Sequence, residues 1–485
     1  IHEIIISDNI TSIGSFSFYQ CPNLHSLNIS SPLTKIHSYA FYGCSLLGTI
    51  HLPDTLTYIG DYSFAFCSQL REIKLPTSLL SLSDGVFCNC FDLRLISIPN
   101  HVEQFCNMMF TNCTNLQSVI ICASLSSIGT NVFQNCTHLS SVSLPTSLTT
   151  IESYSFQYCT SLLSISIPKQ LETIGKYAFA SCFNLSEIEV SSNIKIIDDH
   201  AFYQCMSLVS FNISKEIMAI GSHAFEECSK LTSLTIPNTC KLIGSSVCRS
   251  CTQLQSVAIH AAITILGTDV FRYCSNLETV TLSEGLEIIG SYAFSNCLHL
   301  TEISFPSTML IIEDCAFEKC ESLTKLELPN SIERINGNCF TKCKEIESIV
   351  LSNSLTRIPY NCFSELDKLK KIEIPNGVQT IDFMAFTLCT SLQFVTIPET
   401  VTEIGDNAIQ FCKQLESVVI PSLKTFGSSV FSYCESLTDV VFIRGTEKIS
   451  DLTFKGCFKL TNVTLPPTVL TIRRLAFSNC EKLRS

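Results

Sequence analysis

Cysteine is the residue type best placed to do chemistry in this sequence: there are 28, beside ten histidines and no tryptophan, in 485 residues. Cysteines in such number can staple a chain with disulfides, hold zinc or run thiol exchange. Cys248-Arg249-Ser250-Cys251 spells C-x-x-C, the spacing of redox dithiols. Cys315, Cys320, Cys339, Cys343 and Cys362 crowd one stretch, as a metal centre would require. His2 with His25, and His200 with His223, stand 23 residues apart and offer paired imidazoles.

Spacing decides among these chemistries. Cysteine recurs every 23 residues from Cys21 to Cys343; Leu366 fills the next slot, and Cys389 and Cys412 keep the phase. One residue is lost in Ile420-Pro421-Ser422-Leu423-Lys424, after which Cys434, Cys457 and Cys480 resume the period. Twenty cysteines thus share one register and eight lie off it: Cys88, Cys106, Cys122, Cys240, Cys248, Cys315, Cys339 and Cys362. Side chains stacked in one register point the same way, so their Cβ atoms stay near ~5 Å apart, beyond disulfide range. Leu366 in the same slot also argues for packing. The ladder is expected to be reduced, small and buried. Parallel files do not converge on a tetrahedron, so no metal site is expected. Cys248 replaces the Phe of its unit and Cys251 is a ladder member, which removes the redox reading. The Tyr154, Tyr177, His200, His223 file reads as surface aromatic packing.

The same clock governs the other positions. Phe stands three residues before the cysteine, as in Phe64, Phe87 and Phe202 ahead of Cys67, Cys90 and Cys205, and fails only at Cys248 and Ile409. Leu follows by three, aliphatics by six and eight, and Pro in twelve registers. A second aliphatic pair then appears, such as Leu56 and Ile59, often with Gly next. The consensus is C-x-x-L-x-x-I-x-I-P-x-x-L-x-x-I-G-x-x-A-F-x-x, and about 21 units of 23 residues account for the chain. Residues 1–485 are therefore expected to form one array. Ile73-Lys74-Leu75 alternates like a short strand, and proline ends its pairing. Ala40, Phe41 and Cys44 predict a 3₁₀ turn or a single α-turn. One such unit cannot bury its own apolar face, so stability must come from stacking neighbours.

The consensus, as in Cys67 to Cys90, resembles the BspA-like, or treponemal-type, class of leucine-rich repeats over the whole chain. The resemblance implies an α/β solenoid, mostly β: a right-handed curved superhelix with a parallel concave sheet and short helical or 3₁₀ turns opposite. It also implies a non-enzymatic protein at the cell surface or secreted, adhering to host cells, matrix or other microbes. It carries no catalytic residues and no cofactor.

Composition agrees with a folded binding protein. The chain is 46% hydrophobic and 15% charged, with net charge −12. That composition excludes disorder, and an acidic balance argues against nucleic acid. No apolar run approaches the roughly 18 residues of a membrane span. G-x-G-x-x-G, P-loop, H-E-x-x-H and G-x-S-x-G motifs are absent, and no Ser–His–Asp set stands out. N-x-[ST] occurs at Asn9, Asn28, Asn112, Asn135, Asn184, Asn212 and Asn462, about as often as chance produces in this composition. Asn28, Asn212 and Asn462 are expected on the exposed strand face.

Between the core aliphatics, side chains five and seven residues past the cysteine point outward on the sheet. Most are Ser, Thr or Asn, turning charged near Lys325, Glu327 and Lys371. Phe394, Val419 and Val441, with Thr396 beside them, depart from that habit and form the candidate partner site. The partner expected is a host or matrix protein or a glycan. The sequence starts and stops mid-unit without polar caps, which leaves open a longer protein, or end-to-end self-association into a filament.

Overall fold

The unit that starts at Cys159 shows how sequence becomes structure. Ser164–Ser166 forms a strand with Ile165 buried between two exposed serines. Pro168 ends the pairing, and buried Leu171 leads the chain back to a two-residue strand, Thr173–Ile174. Gly175 then lies so close to the preceding unit that a Cβ there would sit 2.9 Å from the Ile151 oxygen and the Ser153 nitrogen. Residues 176–181 form a wall of turns that delivers Phe179 and Cys182 to the core.

That wall differs from the expected helical or 3₁₀ turn. Ala178, Ala180 and Cys182 donate their N–H groups three residues back, to Gly175, Tyr177 and Phe179, as a 3₁₀ turn would. Tyr177 and Ser181 have φ values of 55° and 59°, however. A left-handed residue at every fourth position stops the turns from propagating as a helix. The intervening N–H groups, of Tyr177, Phe179 and Ser181, donate forward to Asp199, Ala201 and Tyr203 of the next unit at 2.7–3.0 Å. From Tyr177 to Cys182 the backbone donors thus alternate, half bonding within the unit and half to the next unit. Among the described residues there is no helix.

The structure, a computed structural model, describes residues 3–6, 8–29, 32–189, 193–443 and 445–484. It divides into two compact units, residues 1–251 and 252–485. Each is a parallel β-solenoid with a longer-strand sheet and a second sheet of two-residue strands. In the first unit the second sheet runs unbroken through six strands, from Ser127–Ile128 to Leu242–Ile243. In the second unit the longer-strand sheet runs through five: Lys371–Glu373, Phe394–Thr396, Ser417–Ile420, Asp439–Phe442 and Asn462–Thr464. The lost residue falls between two sheets: Ile404 pairs with Phe426 and Ser417 with Asp439, both 22 apart, while Leu423 still reaches the core.

Phenylalanines run through each core as stacked rings. In the first unit, Phe18 to Phe225 gives ten rings with centroids 5.1–6.0 Å apart. In the second, Phe271 to Phe386 gives six. Burial of each such side chain contributes roughly 1.5–3 kcal/mol, realised only when neighbours stack. Beside them the cysteines form a second file. Cys67, Cys90 and Cys205 are fully buried, and their thiols donate to the carbonyls of Phe41, Phe64 and Phe179 at 3.4, 3.1 and 3.2 Å. All 28 cysteines are free thiols in this structure.

Candidate functional site

The outward face of the five-stranded sheet in the second unit carries the candidate site. Alternation along Ser417–Ile420 and Asp439–Phe442 buries Val418, Ile420, Val440 and Phe442 and turns Val419 and Val441 out. Val419 and Val441 are direct register partners, 49% and 50% exposed, and Val441 pairs in turn with Thr464. Phe394, 43% exposed, sits in the neighbouring file, paired on one side with Lys371 and on the other with Ser417. Thr396 is exposed and pairs with Glu373. The two valines therefore form a contiguous apolar surface, and Phe394 adjoins a lysine.

Charges border this surface. Lys371 pairs with Glu373 at 2.5 Å, which holds the Glu373 carboxyl below its ordinary value. Lys325 and Glu327 approach at 3.6 Å. A depression of about 890 Å³ lies alongside, lined by Val350, Lys371, Glu373 and Thr396 among others. Val350, 58% exposed and paired with Glu327, belongs to the site's surroundings and escaped the sequence reading, although it stands seven residues past Cys343 just as Val441 stands seven past Cys434. Ile5 and Ile120 hold outward slots of the same kind in the first unit and are also exposed. Outward apolar residues are thus less confined to the C-terminal third than the three selected positions suggest.

A second apolar feature was hidden in the return strands. Ile196 and Leu242 are exposed on the outer face of the two-residue strands in the first unit, as is Ile265 in the second. Their signal was present, since residues fourteen past the cysteine turn aliphatic there, but the neighbouring core pair masked it.

The histidine and sequon positions fall as follows. Tyr154, Tyr177, His200 and His223 stack in one file, with centroids 5.1, 4.3 and 4.4 Å apart. Burial, with His223 stacked on it, pushes the His200 imidazole below its ordinary value. His223 Nδ1 lies 2.5 Å from the Glu226 carboxylate, which also accepts from Arg249 at 3.2 Å. His2, the proposed neighbour of His25, lies outside the described residues. Asn9, Asn28, Asn184 and Asn462 are exposed; Asn184 donates to the Thr160 carbonyl at 2.8 Å and Asn462 to Asp439 at 3.1 Å. Asn212 is exposed but not on a strand, contrary to expectation. There Phe211 is wedged 5.0 Å from both Phe202 and Phe225, and the strand is interrupted. Asn112 and Asn135 donate to Asn89 and Asn112, each at 2.8 Å, in an amide ladder.

The cysteines show no constellation for catalysis. Burial drives the Cys182 thiol up to about 12, and the Cys44 and Cys88 thiols to about 11, far from a nucleophile's range. Cys248 and Cys251 are both buried, and the Cys251 thiol donates to the Phe225 carbonyl at 3.1 Å. Among the described residues, no group of three or more His, Cys, Asp or Glu is placed to hold a metal ion.

The family model of the BspA type leucine rich repeat region matches residues 1–117, 80–209, 149–278, 195–320, 264–374 and 356–484. The chain belongs to this family. Among solved structures, a leucine-rich repeat protein from Bacteroides ovatus is 25% identical, with 91% of this chain and 92% of that one covered and a TM-score of 0.40. A leucine-rich repeat protein from T. pallidum is 28% identical over 37% of this chain and 80% of its own, with a TM-score of 0.31. One from Eubacterium ventriosum is 22% identical over 72% and 84%, with a TM-score of 0.34. No curated protein matches the chain.

Proposed function

We propose that this BspA-type repeat chain is a non-enzymatic surface or secreted protein that adheres to host cells, matrix or other microbes. Its contact surface, on this reading, is the outward face of the five-stranded sheet around Phe394, Thr396, Val419 and Val441. The observation that carries the reading is the exposed Val419–Val441 pair beside Phe394, on the longest run of that sheet in its unit. Apolar side chains left in water on a rigid sheet are stabilised when a partner covers them. The bordering ion pair Lys371–Glu373 would form part of the polar rim. The 23-residue register common to both compact units supports reading residues 1–485 as a single array. Titration of the purified chain onto cultured host cells and onto immobilised matrix protein tests this: saturable attachment is expected, and its absence on every surface would overturn the adhesive reading.

A further inference from the structure

The file of Tyr154, Tyr177, His200 and His223 on the turn wall of the first unit changes chemistry halfway along. Its first two positions hold neutral rings; the next two, five residues before Cys205 and Cys228, hold imidazoles. His200 is clamped between Tyr177 and His223, with ring centres 4.3 and 4.4 Å away and planes only 14° and 15° apart. Tyr203 meets it edge-on at 5.6 Å. The His200 Nδ1 is buried and has no hydrogen-bond partner among the described residues. A neutral ring suits this place, with its proton on Nε2 and a bare lone pair at Nδ1. An imidazolium does not suit it. It would carry an N–H at Nδ1 where nothing accepts it, and a charge 4.4 Å from a second imidazole.

The charges around the pair are already engaged elsewhere. Lys176, from the preceding wall, pairs with Asp199 at 3.3 Å, and the Asp199 carboxylate also accepts the Ser222 N–H at 2.8 Å. Glu226, from the following wall, is buried and accepts from His223 Nδ1 at 2.5 Å and from the Arg249 guanidinium at 3.2 Å. Glu227 accepts from the Gln204 amide at 2.9 Å. Each carboxylate is thus spent on another donor. The His200 imidazole accordingly holds a proton less readily than an ordinary histidine, first through burial and then through His223; Asp199 opposes this and Lys176 adds to it.

We propose that the stacked His200–His223 pair is an acid-sensitive joint, at which protonation of His200 parts the two walls and opens the array between the repeats of Cys205 and Cys228. The walls are held together there by the N–H groups of His200, Phe202 and Gln204, which donate to Ser222, Ala224 and Glu226 at 2.8–2.9 Å. A solenoid unit is stabilised by its neighbours, so weakening one interface loosens the chain on both sides of it. The sign follows from the lowered proton affinity. The unfolded chain protonates this histidine near ~6.5 and the folded chain only at lower pH. The contribution of the neutral ring is therefore complete above that pH and is lost as the pH falls below it. The tyrosine end of the file makes the same bonds, from Tyr154, Phe156 and Tyr158 to Lys176, Ala178 and Ala180 at 2.7–2.9 Å, without an imidazole in the stack.

Amide hydrogen exchange of the full chain at pH 7.5 and pH 5, corrected for the intrinsic rate at each pH, tests this. Protection of the His200, Phe202 and Gln204 amides is expected to fall about tenfold on acidification, while the Tyr154, Phe156 and Tyr158 amides keep theirs. Two variants remove the titrating group. His200→Tyr continues the file with its own residue, and Tyr39 stands against Tyr42 at the same 5.6 Å that separates His200 from Tyr203. His200→Asn suits the left-handed backbone at this position, where φ is 57°. In each folded variant the acid-induced loss at residues 202 and 204 is expected to disappear. The proposal is overturned if the three amides of the unaltered chain keep their protection at pH 5, if the tyrosine end loses as much, or if a folded variant still shows the acid-induced loss.

Discussion

The Cys205 thiol donates to the Phe179 carbonyl, 3.2 Å away and 26 residues back along the chain. The same carbonyl accepts the backbone N–H of Cys182 at 3.2 Å. One ladder cysteine thus ties its own unit to the phenylalanine of the unit before, at the place where that unit's turn wall closes. The bond recurs at Cys90, Cys113, Cys136 and Cys228, so the two most regular residues of the sequence are regular for a joint reason.

Because the Phe179 carbonyl keeps its backbone donor, losing the thiol costs packing more than hydrogen bonding. Cys205→Ala is expected to destabilise the protein by about 1–2 kcal/mol. Cys205→Asp is expected to cost more than about 3 kcal/mol, since among the described residues no lysine or arginine is buried to pair the carboxylate. Urea unfolding of the two variants checks both values; similar midpoints for Ala and Asp would contradict the burial described for this file.

Thiol accessibility follows the same geometry. Cys122 is exposed, while nearly all ladder cysteines are buried. A thiol-specific reagent is expected to label Cys122 rapidly in the native protein, and most of the 28 cysteines only after denaturation without reductant. Finding most of them oxidised would refute the packed-thiol ladder.

Burial raises the Cys182 thiol to about 12 and the Cys434 thiol to about 12, mainly by desolvation. In the unfolded chain a thiol ionises near ~8.5, so above that pH the unfolded state gains a charge that the folded state refuses. This part of the stability is complete below the unfolded pKa and is lost as pH rises towards 12. Denaturation midpoints are expected to be level from pH 7 to 8 and to fall steadily from pH 9 to 11. A midpoint that rose over that upper interval would be the wrong sign for buried thiols.

Gly175 permits neighbouring units to approach, since a Cβ there would lie 2.9 Å from backbone atoms of residues 151–153. Backbone cannot swing aside as a side chain can. Gly175→Ala is expected to cost about 1–3 kcal/mol. Gly48→Ala, where the nearest atom is the Gln69 oxygen at 3.9 Å, is expected to stay within about 0.5 kcal/mol. Equal melting temperatures for the two variants would show that the approach at Gly175 is not tight.

The period, the core files and the parallel strands were legible because they depend on which residues are apolar and how often they recur. The wall was not. Left-handed backbone falls on Tyr177, Ser181, Tyr62 and Phe66, residue types that give no sign of it, so the pattern Ala40, Phe41, Cys44 looked helical. Strand interruptions at Phe211 depend on ring volume against Phe202 and Phe225, which period alone does not convey. At the candidate site the outward positions of Val419 and Val441 followed from alternation, and their direct pairing from their shared place seven residues past Cys412 and Cys434. Exposed Ile196 and Leu242 were missed because aliphatic residues next to a core pair look like more core.

On the proposed function, the outward sheet face around Phe394, Val419 and Val441 is the surface that attaches to a partner. Attachment of the Phe394→Ser, Val419→Ser, Val441→Ser triple variant to host cells or matrix protein, measured beside the unaltered chain, tests it most directly. All three side chains are solvent-exposed, so the variant is expected to fold with a near-unchanged midpoint and to lose at least about tenfold in affinity. A folded triple variant that attaches as tightly as the unaltered chain would contradict the account.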